Sequence, residues 1–179
     1  RSGPRFDGGP APVGGHRKNR YTSETRVTDG RAIYVYVAFQ GLYAFDFEGN
    51  QLWATPLSPR QVYLDFGAGS SPALHGDKLF ILNDNEEQSF IAAYDKNTGE
   101  QLWYTPRDGL GSRMNKSGWS TPFVWENEVR TEIVTLGPGS VISYGLDGDE
   151  LWRMSRFSQM TRSEEHTSEL QSRPNLVCL

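Results

Sequence analysis

Apolar and polar residues alternate in short runs along most of the chain. In RAIYVYVAF (Arg31–Phe39), Ile33, Val35 and Val37 fall on one side of an extended backbone and Tyr34, Tyr36 and Ala38 on the other. A period of two marks a β-strand, because successive side chains leave opposite faces of the pleat. No window carries a capped apolar stripe at 3.6-residue spacing, so the pattern predicts strands rather than helices. Similar runs sit at Ser71–His75, Lys78–Asn83, Phe90–Asp95 and Gln101–Thr105. Turn residues join them: His75-Gly76-Asp77, the polar stretch Asn83–Gln88, and Asn97-Thr98-Gly99.

The runs repeat. QLW at Gln51–Trp53 returns at Gln101–Trp103 and, as ELW, at Glu150–Trp152, so the tryptophans are 50 and 49 residues apart. A glycine stands four residues before each, at Gly49, Gly99 and Gly148. Upstream lie matching apolar runs at Leu42–Gly49, Ile91–Gly99 and Val141–Gly148. Further upstream are SPALHGDKLFILND (Ser71–Asp84) and TPFVWENEVRTEIVTLG (Thr121–Gly137), with TRVTDGRAIYVYVAF (Thr25–Phe39) at the same place in the first unit. Four short strands recurring about every fifty residues are the signature of a β-propeller blade. A single blade exposes both faces, and stacking blades buries them. The expectation is an all-β chain forming a partial β-propeller of about three four-stranded antiparallel blades, cut from a larger ring. The expected segments are a Gly/Pro-rich loop or cap over 1–20, blades over 21–58, 59–108 and 109–161, and a tail over 162–179.

That tail, RSEEHTSELQSRPNLVCL, changes the picture. Arg162–Ser172 resembles the translation of a common sequencing adapter, so the segment reads as artefactual and is set aside from fold reasoning. Cys178, the one cysteine of the sequence, goes with it, leaving no thiol for a disulfide, a metal or a nucleophile. Charge and composition add exclusions. The chain carries 18 Lys and Arg against 22 Asp and Glu, a net charge of −4. No basic excess is present to displace counterions from phosphates, which argues against nucleic acid. No stretch approaches ~20 apolar residues, so no helical membrane span is expected.

The repeated residues have a physical reading. Each glycine permits a tight turn at positive φ before the fourth strand. Each tryptophan buries a large ring and offers its indole N–H to a neighbouring backbone. Gly49, Trp53, Gly99, Trp103, Gly148 and Trp152 are therefore expected to dock blade on blade. AAYDKNTGEQLW (Ala92–Trp103) resembles the tryptophan-docking repeat of the pyrroloquinoline-quinone (PQQ)-like β-propellers, and FDFEGNQLW and YGLDGDELW are similar to weaker copies. The resemblance covers about Thr25 to Arg153. It implies a ring-shaped fold and a periplasmic or extracellular address. The family includes quinoprotein dehydrogenases and non-enzymatic scaffolds.

Within that family a dehydrogenase would hold PQQ with Ca²⁺, a catalytic Asp and oxygen ligands on the metal. No segment here matches those residues one by one, and no vicinal cysteine pair occurs. The expectation is therefore a non-catalytic binding or scaffold module with no cofactor in this stretch and no catalytic or metal-ligating residue assigned. Its partners would be an unknown protein or small-molecule ligand and the remaining blades of the ring. The alternative is part of a PQQ- and calcium-dependent dehydrogenase oxidising alcohols or aldoses. Asn83-Asp84-Asn85-Glu86-Glu87 is the richest oxygen cluster, but it lacks an EF-hand's spacing and reads as a solvated hairpin loop. His75 reads as a turn residue, and His16 sits in a basic patch of the N-terminal loop. Arg113, Lys116 and Trp119 lie in the long connection into the third blade, the kind of loop that carries ligands on a rigid scaffold.

Overall fold

A computed structural model of the chain describes residues 24–38, 40–63, 69–110 and 116–155. Among these, twelve strands build three four-stranded antiparallel sheets, and there is no α-helix. The first sheet holds β1 (Val27–Thr28), β2 (Ile33–Val37), β3 (Gly41–Phe45) and β4 (Gln51–Pro56). The second holds β5 (Ala73–His75), β6 (Lys78–Asn83), β7 (Phe90–Asp95) and β8 (Gln101–Pro106). The third holds β9 (Phe123–Glu126), β10 (Thr131–Gly137), β11 (Ser140–Tyr144) and β12 (Glu150–Ser155). Each sheet is a simple meander in chain order, and we call them blades 1, 2 and 3. The segments 1–20 and 162–179 singled out from the sequence lie outside the described residues.

The hydrophobic alternation fixes which side chain faces which neighbour. In β6 of blade 2, Leu79 and Ile81 pack toward blade 1, where they meet Tyr34, Tyr36, Leu42 and Ala44. The intervening Phe80 and Leu82 pack toward blade 3, against Ile133, Ile142 and Tyr144. A strand buried on both faces reads as a nearly continuous apolar run, as KLFILN does. Each such Leu, Ile or Phe contributes about 1.5–3 kcal/mol by leaving water. The outermost strands β4, β8 and β12 instead hold only exposed and half-buried residues. The first strands β1, β5 and β9 approach one another. The sheets therefore radiate from a shared inner edge, as the blades of a propeller do.

The register shifts by one residue at the same place in each blade, at Ala44/Phe45, Ala93/Tyr94 and Ser143/Tyr144. A bulge adds twist and re-aims the following strand. Here it sets Trp53 opposite Ala44, Trp103 opposite Ala93 and Trp152 opposite Ser143. Small residues under the first two rings leave room for the indole to lie flat on its own sheet. Tyr34 flanks Trp53 with ring centroids 6.2 Å apart, and Phe80 flanks Trp103 at 6.0 Å.

Candidate functional site

Two places concentrate specific polar contacts: the seams between blades, and the end of the sheets where the β6–β7 hairpin meets the inter-blade connections. At the first seam, the Trp53 indole N–H donates to the Lys96 carbonyl at 2.9 Å, and Thr55 Oγ1 donates to the Gly99 carbonyl at 2.6 Å. The second seam repeats this geometry. Trp103 donates to the Leu146 carbonyl at 3.0 Å and Thr105 to the Gly148 carbonyl at 2.9 Å. In both cases the tryptophan of one blade lies on the turn between the third and fourth strands of the next. Gly99 has φ +75°, and a Cβ there would come within 2.5 Å of Trp53 Cε3. Gly148, at φ +94°, would meet Trp103 Cε3 at 2.7 Å. These glycines thus serve the turn and also leave room for the ring laid on it.

A second ladder runs along the inner edge. The Thr25 N–H donates to Ser71 Oγ at 2.8 Å, and the Ser71 N–H donates to Thr121 Oγ1 at 3.1 Å. Charged groups add to the first seam, where Lys96 Nζ lies 3.1 Å from Asp29 of blade 1 and 3.3 Å from Asp77 of its own blade. The Asp29 carboxyl is held well below its ordinary value, first by the Ala32 N–H, with the Arg31 N–H and the Lys96 ammonium adding to it against a smaller opposing push from burial.

At the loop end, Arg107 follows β8 and is fully buried with Asp84. Its Nε donates to Asp84 Oδ1 at 2.8 Å, while Nη1 donates to Thr135 Oγ1 at 2.6 Å and to the Tyr144 hydroxyl at 2.9 Å. The guanidinium also lies over the Tyr144 ring at 5.6 Å. Burial pushes the Asp84 carboxyl up, opposed by the Arg107 charge beside it. Asn85 closes the hairpin from inside. Its amide nitrogen donates to Asn83 Oδ1 and to the Gln88 carbonyl, both at 2.9 Å, and its amide oxygen accepts from the Glu87 and Gln88 N–H groups. Asn83 in turn donates to the Tyr36 hydroxyl of blade 1 at 2.8 Å.

The oxygen-rich stretch is therefore not the solvated loop that its composition suggested. Asn83, Asp84 and Asn85 are buried, because the inter-blade connections pack over them and every polar group finds a protein partner. Nor do these residues fit a Ca²⁺ cage. Arg107 occupies the Asp84 carboxylate, and Glu86 Oε1 accepts from the Lys116 N–H, the Ser117 N–H and the Ser117 hydroxyl. Among the described residues no group of three His, Cys, Asp or Glu side chains could hold a metal ion.

Of the three loop candidates, Arg113 lies outside the described residues. Lys116 enters through its backbone N–H on Glu86. Trp119 packs over Gly69 of the neighbouring connection, where an added Cβ would lie 3.3 Å from its Cδ1. His75 lies at the end of β5, 3.2 Å from Glu126 of blade 3. The Asp84–Arg107 pair was invisible in the sequence. The two residues are 23 positions apart, and although Arg156 stands four residues after Trp152 as Arg107 does after Trp103, Ala38 and Pro138 stand at the Asp84 place in the other units, so the repeat pattern could not reveal the pair.

Sheets in radial array, tryptophan on turn at each seam, and a repeat of about fifty residues define the class: a partial β-propeller of PQQ-like repeats. The chain belongs to the family described as outer membrane protein assembly factor BamB, whose model matches residues 38–177. That match runs on through the segment read from the sequence as a translated adapter, and so gives the setting aside of that segment no support.

Solved structures share the fold. BamB from Moraxella catarrhalis superposes with a TM-score of 0.54 at 16% identity, covering 78% of this chain and 36% of that one. The quinohemoprotein alcohol dehydrogenase from Comamonas testosteroni gives a TM-score of 0.58 at 18% identity, covering 76% and 21%. The quinohemoprotein alcohol dehydrogenase ADHIIG from Pseudomonas putida HK5 gives 0.51 at 16%, covering 73% and 26%. The chain thus spans about a third or less of the length of these relatives. No curated protein matches it in sequence.

Proposed function

We propose that the chain is a segment of a binding or scaffold propeller of the bacterial cell envelope, at a periplasmic or extracellular address, and that it holds a protein partner on its outer strands. One observation carries the reading. Leu52, Leu102 and Leu151 stand at the same position of β4, β8 and β12, immediately before the seam tryptophan, and are 55%, 47% and 38% exposed. A single exposed leucine is ordinary. Three at equal intervals, on strands that end their sheets with no further described strand beside them, form a stepped apolar rim suited to strand addition. The match to an outer membrane protein assembly factor supports the same reading. No helix among the described residues is long and apolar enough to cross a membrane.

The second reading is a PQQ- and calcium-dependent dehydrogenase, favoured by the shared fold of the two alcohol dehydrogenases. Against it, two of the described loop-end carboxylates, Asp84 and Glu86, are taken up by Arg107 and by the connection at Lys116–Ser117. The full-length protein incubated with PQQ and calcium should show neither bound quinone absorbance nor dye-linked oxidation of alcohols or aldoses. Saturable quinone binding with turnover would overturn the proposal. A photoreactive residue at position 102 should give one discrete crosslinked product in cells, lost when Leu52 and Leu151 are changed to Ser. Retention of that product would remove the leucine rim from the reading.

A further inference from the structure

The face of blade 3 turned away from blade 2 differs from the two faces that meet at the seams. By strand register, Tyr34, Phe80 and Val134 are equivalent, as are Ala44, Ala93 and Ser143. Two residues after each tryptophan stand Thr55, Thr105 and Met154. Blade 3 has therefore lost the aromatic neighbour of the indole, the small apolar residue beneath it, and the hydroxyl that bonds the next glycine. Two residues before the Tyr34 position stand Ala32, Lys78 and, in blade 3, Glu132.

Glu132 is buried within this outward face. Its carboxylate accepts from the Trp152 indole N–H at 2.7 Å, from the Ser143 hydroxyl, and from Arg130 Nε at 2.8 Å. Burial would raise this carboxyl, but those three donors together outweigh it and hold it below its ordinary value. Around it lie Phe123, Trp125 and Met154, which are 51%, 40% and 46% exposed. No described sheet packs here.

The two closed seams show how charge is arranged at this spot. At the second, the cation is on the blade that delivers the tryptophan: Lys78 Nζ donates to the same Leu146 carbonyl that accepts Trp103, at 2.9 Å. At the first, the carboxylate is on the delivering blade and the lysine on the receiving turn, as Asp29 faces Lys96. Glu132 stands where Lys78 stands but carries the opposite charge, so blade 3 delivers a carboxylate, as blade 1 does. A receiving turn that offers only its carbonyl would set acceptor against acceptor, and the indole N–H that should serve that carbonyl is already on Glu132.

We propose that the outward face of blade 3 takes a further blade of this repeat class whose turn between the third and fourth strands carries a lysine or arginine, placed as Lys96 is on blade 2, and that Glu132 selects it. A second copy of this chain does not meet the requirement. Its free receiving turn, on blade 1, has Phe47 at the position of Lys96, followed by Glu48, a like charge. The slot itself is open, since a Cβ on Gly49 would meet nothing within 4 Å.

That free turn is the probe. Self-association of the chain is measured by sedimentation for F47K and F47E, each with Glu132 present and with Glu132→Gln, which keeps an acceptor for Trp152 and Ser143. With Glu132, the lysine variant should associate at least about tenfold more tightly than the glutamate variant, and the ratio should fall toward one in the Glu132→Gln background. If assemblies leave solution, the saturation concentration reads the same ordering. Far-UV circular dichroism checks that the four proteins share one fold. A lysine preference that persists undiminished in the Glu132→Gln background reports net charge alone and overturns the proposal. Equal association of all four overturns it as well, and would be the result if Arg130 served the turn carbonyl as Lys78 does. Tight association of the parent chain would make a second copy the occupant and exclude selection by Glu132.

Discussion

Gly99 and Gly49 occupy the same turn in adjacent blades, both with positive φ, but only Gly99 carries a tryptophan. Replacing each by alanine separates the turn from the seam. At Gly49 the new methyl meets no atom within 4 Å, so the cost is that of an L-residue in the left-handed region, about 1–2 kcal/mol. At Gly99 the methyl would sit 2.5 Å from Trp53 Cε3, 2.9 Å from Trp53 Cδ2 and 2.7 Å from Thr55 Oγ1. The ring must lift, adding an overpacking cost of about 1–3 kcal/mol and weakening the indole bond to Lys96, itself about 1 kcal/mol. Gly99→Ala should thus cost about 2–6 kcal/mol and Gly49→Ala about 1–2 kcal/mol. Urea unfolding followed by tryptophan fluorescence and far-UV circular dichroism reads both. In a Trp53→Leu background the collision with the ring is removed and only the contact with Thr55 Oγ1 remains, so Gly99→Ala should fall toward the Gly49→Ala value. Equal midpoint shifts for the two alanine variants of the parent would refute the reasoning, because the indole would then exert no pressure on the turn.

The buried pair gives a second test: Arg107→Met should cost about 3–5 kcal/mol by leaving Asp84 uncompensated, whereas Arg107→Met with Asp84→Leu should recover most of it in urea titrations. The Asp29 carboxylate, held by the Ala32 N–H first and by the Arg31 N–H and Lys96 after it, gives a third, in pH. Because the folded-state value of Asp29 is depressed, its stabilisation is complete above the ordinary carboxyl value of about 3.9 and is lost as pH falls from there toward the depressed value. The parent should lose stability between about pH 4 and pH 2 more steeply than Asp29→Asn. The two should differ at pH 7 and converge at the acid end. Parallel melting curves across that range would count against those contacts holding the Asp29 carboxylate.

The fold was legible in the chain because its signals are local and repeated. Alternation in β2, turn residues at Asn97-Thr98-Gly99, and a tryptophan every fifty residues require only that a strand have two faces and that a blade bury both. Even KLFILN, ambiguous by periodicity alone, is decided by its neighbours in the repeat. Composition also excluded a thiol-based site over residues 1–161, since the one cysteine is Cys178.

What periodicity could not carry is whatever breaks the repeat. The oxygen-rich hairpin is polar in composition, and only the packing of the connections over it decides that Asp84 is sealed against Arg107 and Asn85 is consumed in closing the loop. Glu132 looks like one more surface acid until the register places it where blade 2 has Lys78. The physical reason is range. Strand and turn preferences act between residues a few positions apart, so the sequence states them directly. The sign of a charge at a seam acquires meaning from a partner far along the chain or on another sheet, as Asp29 does from Lys96, and only the folded chain brings the two together.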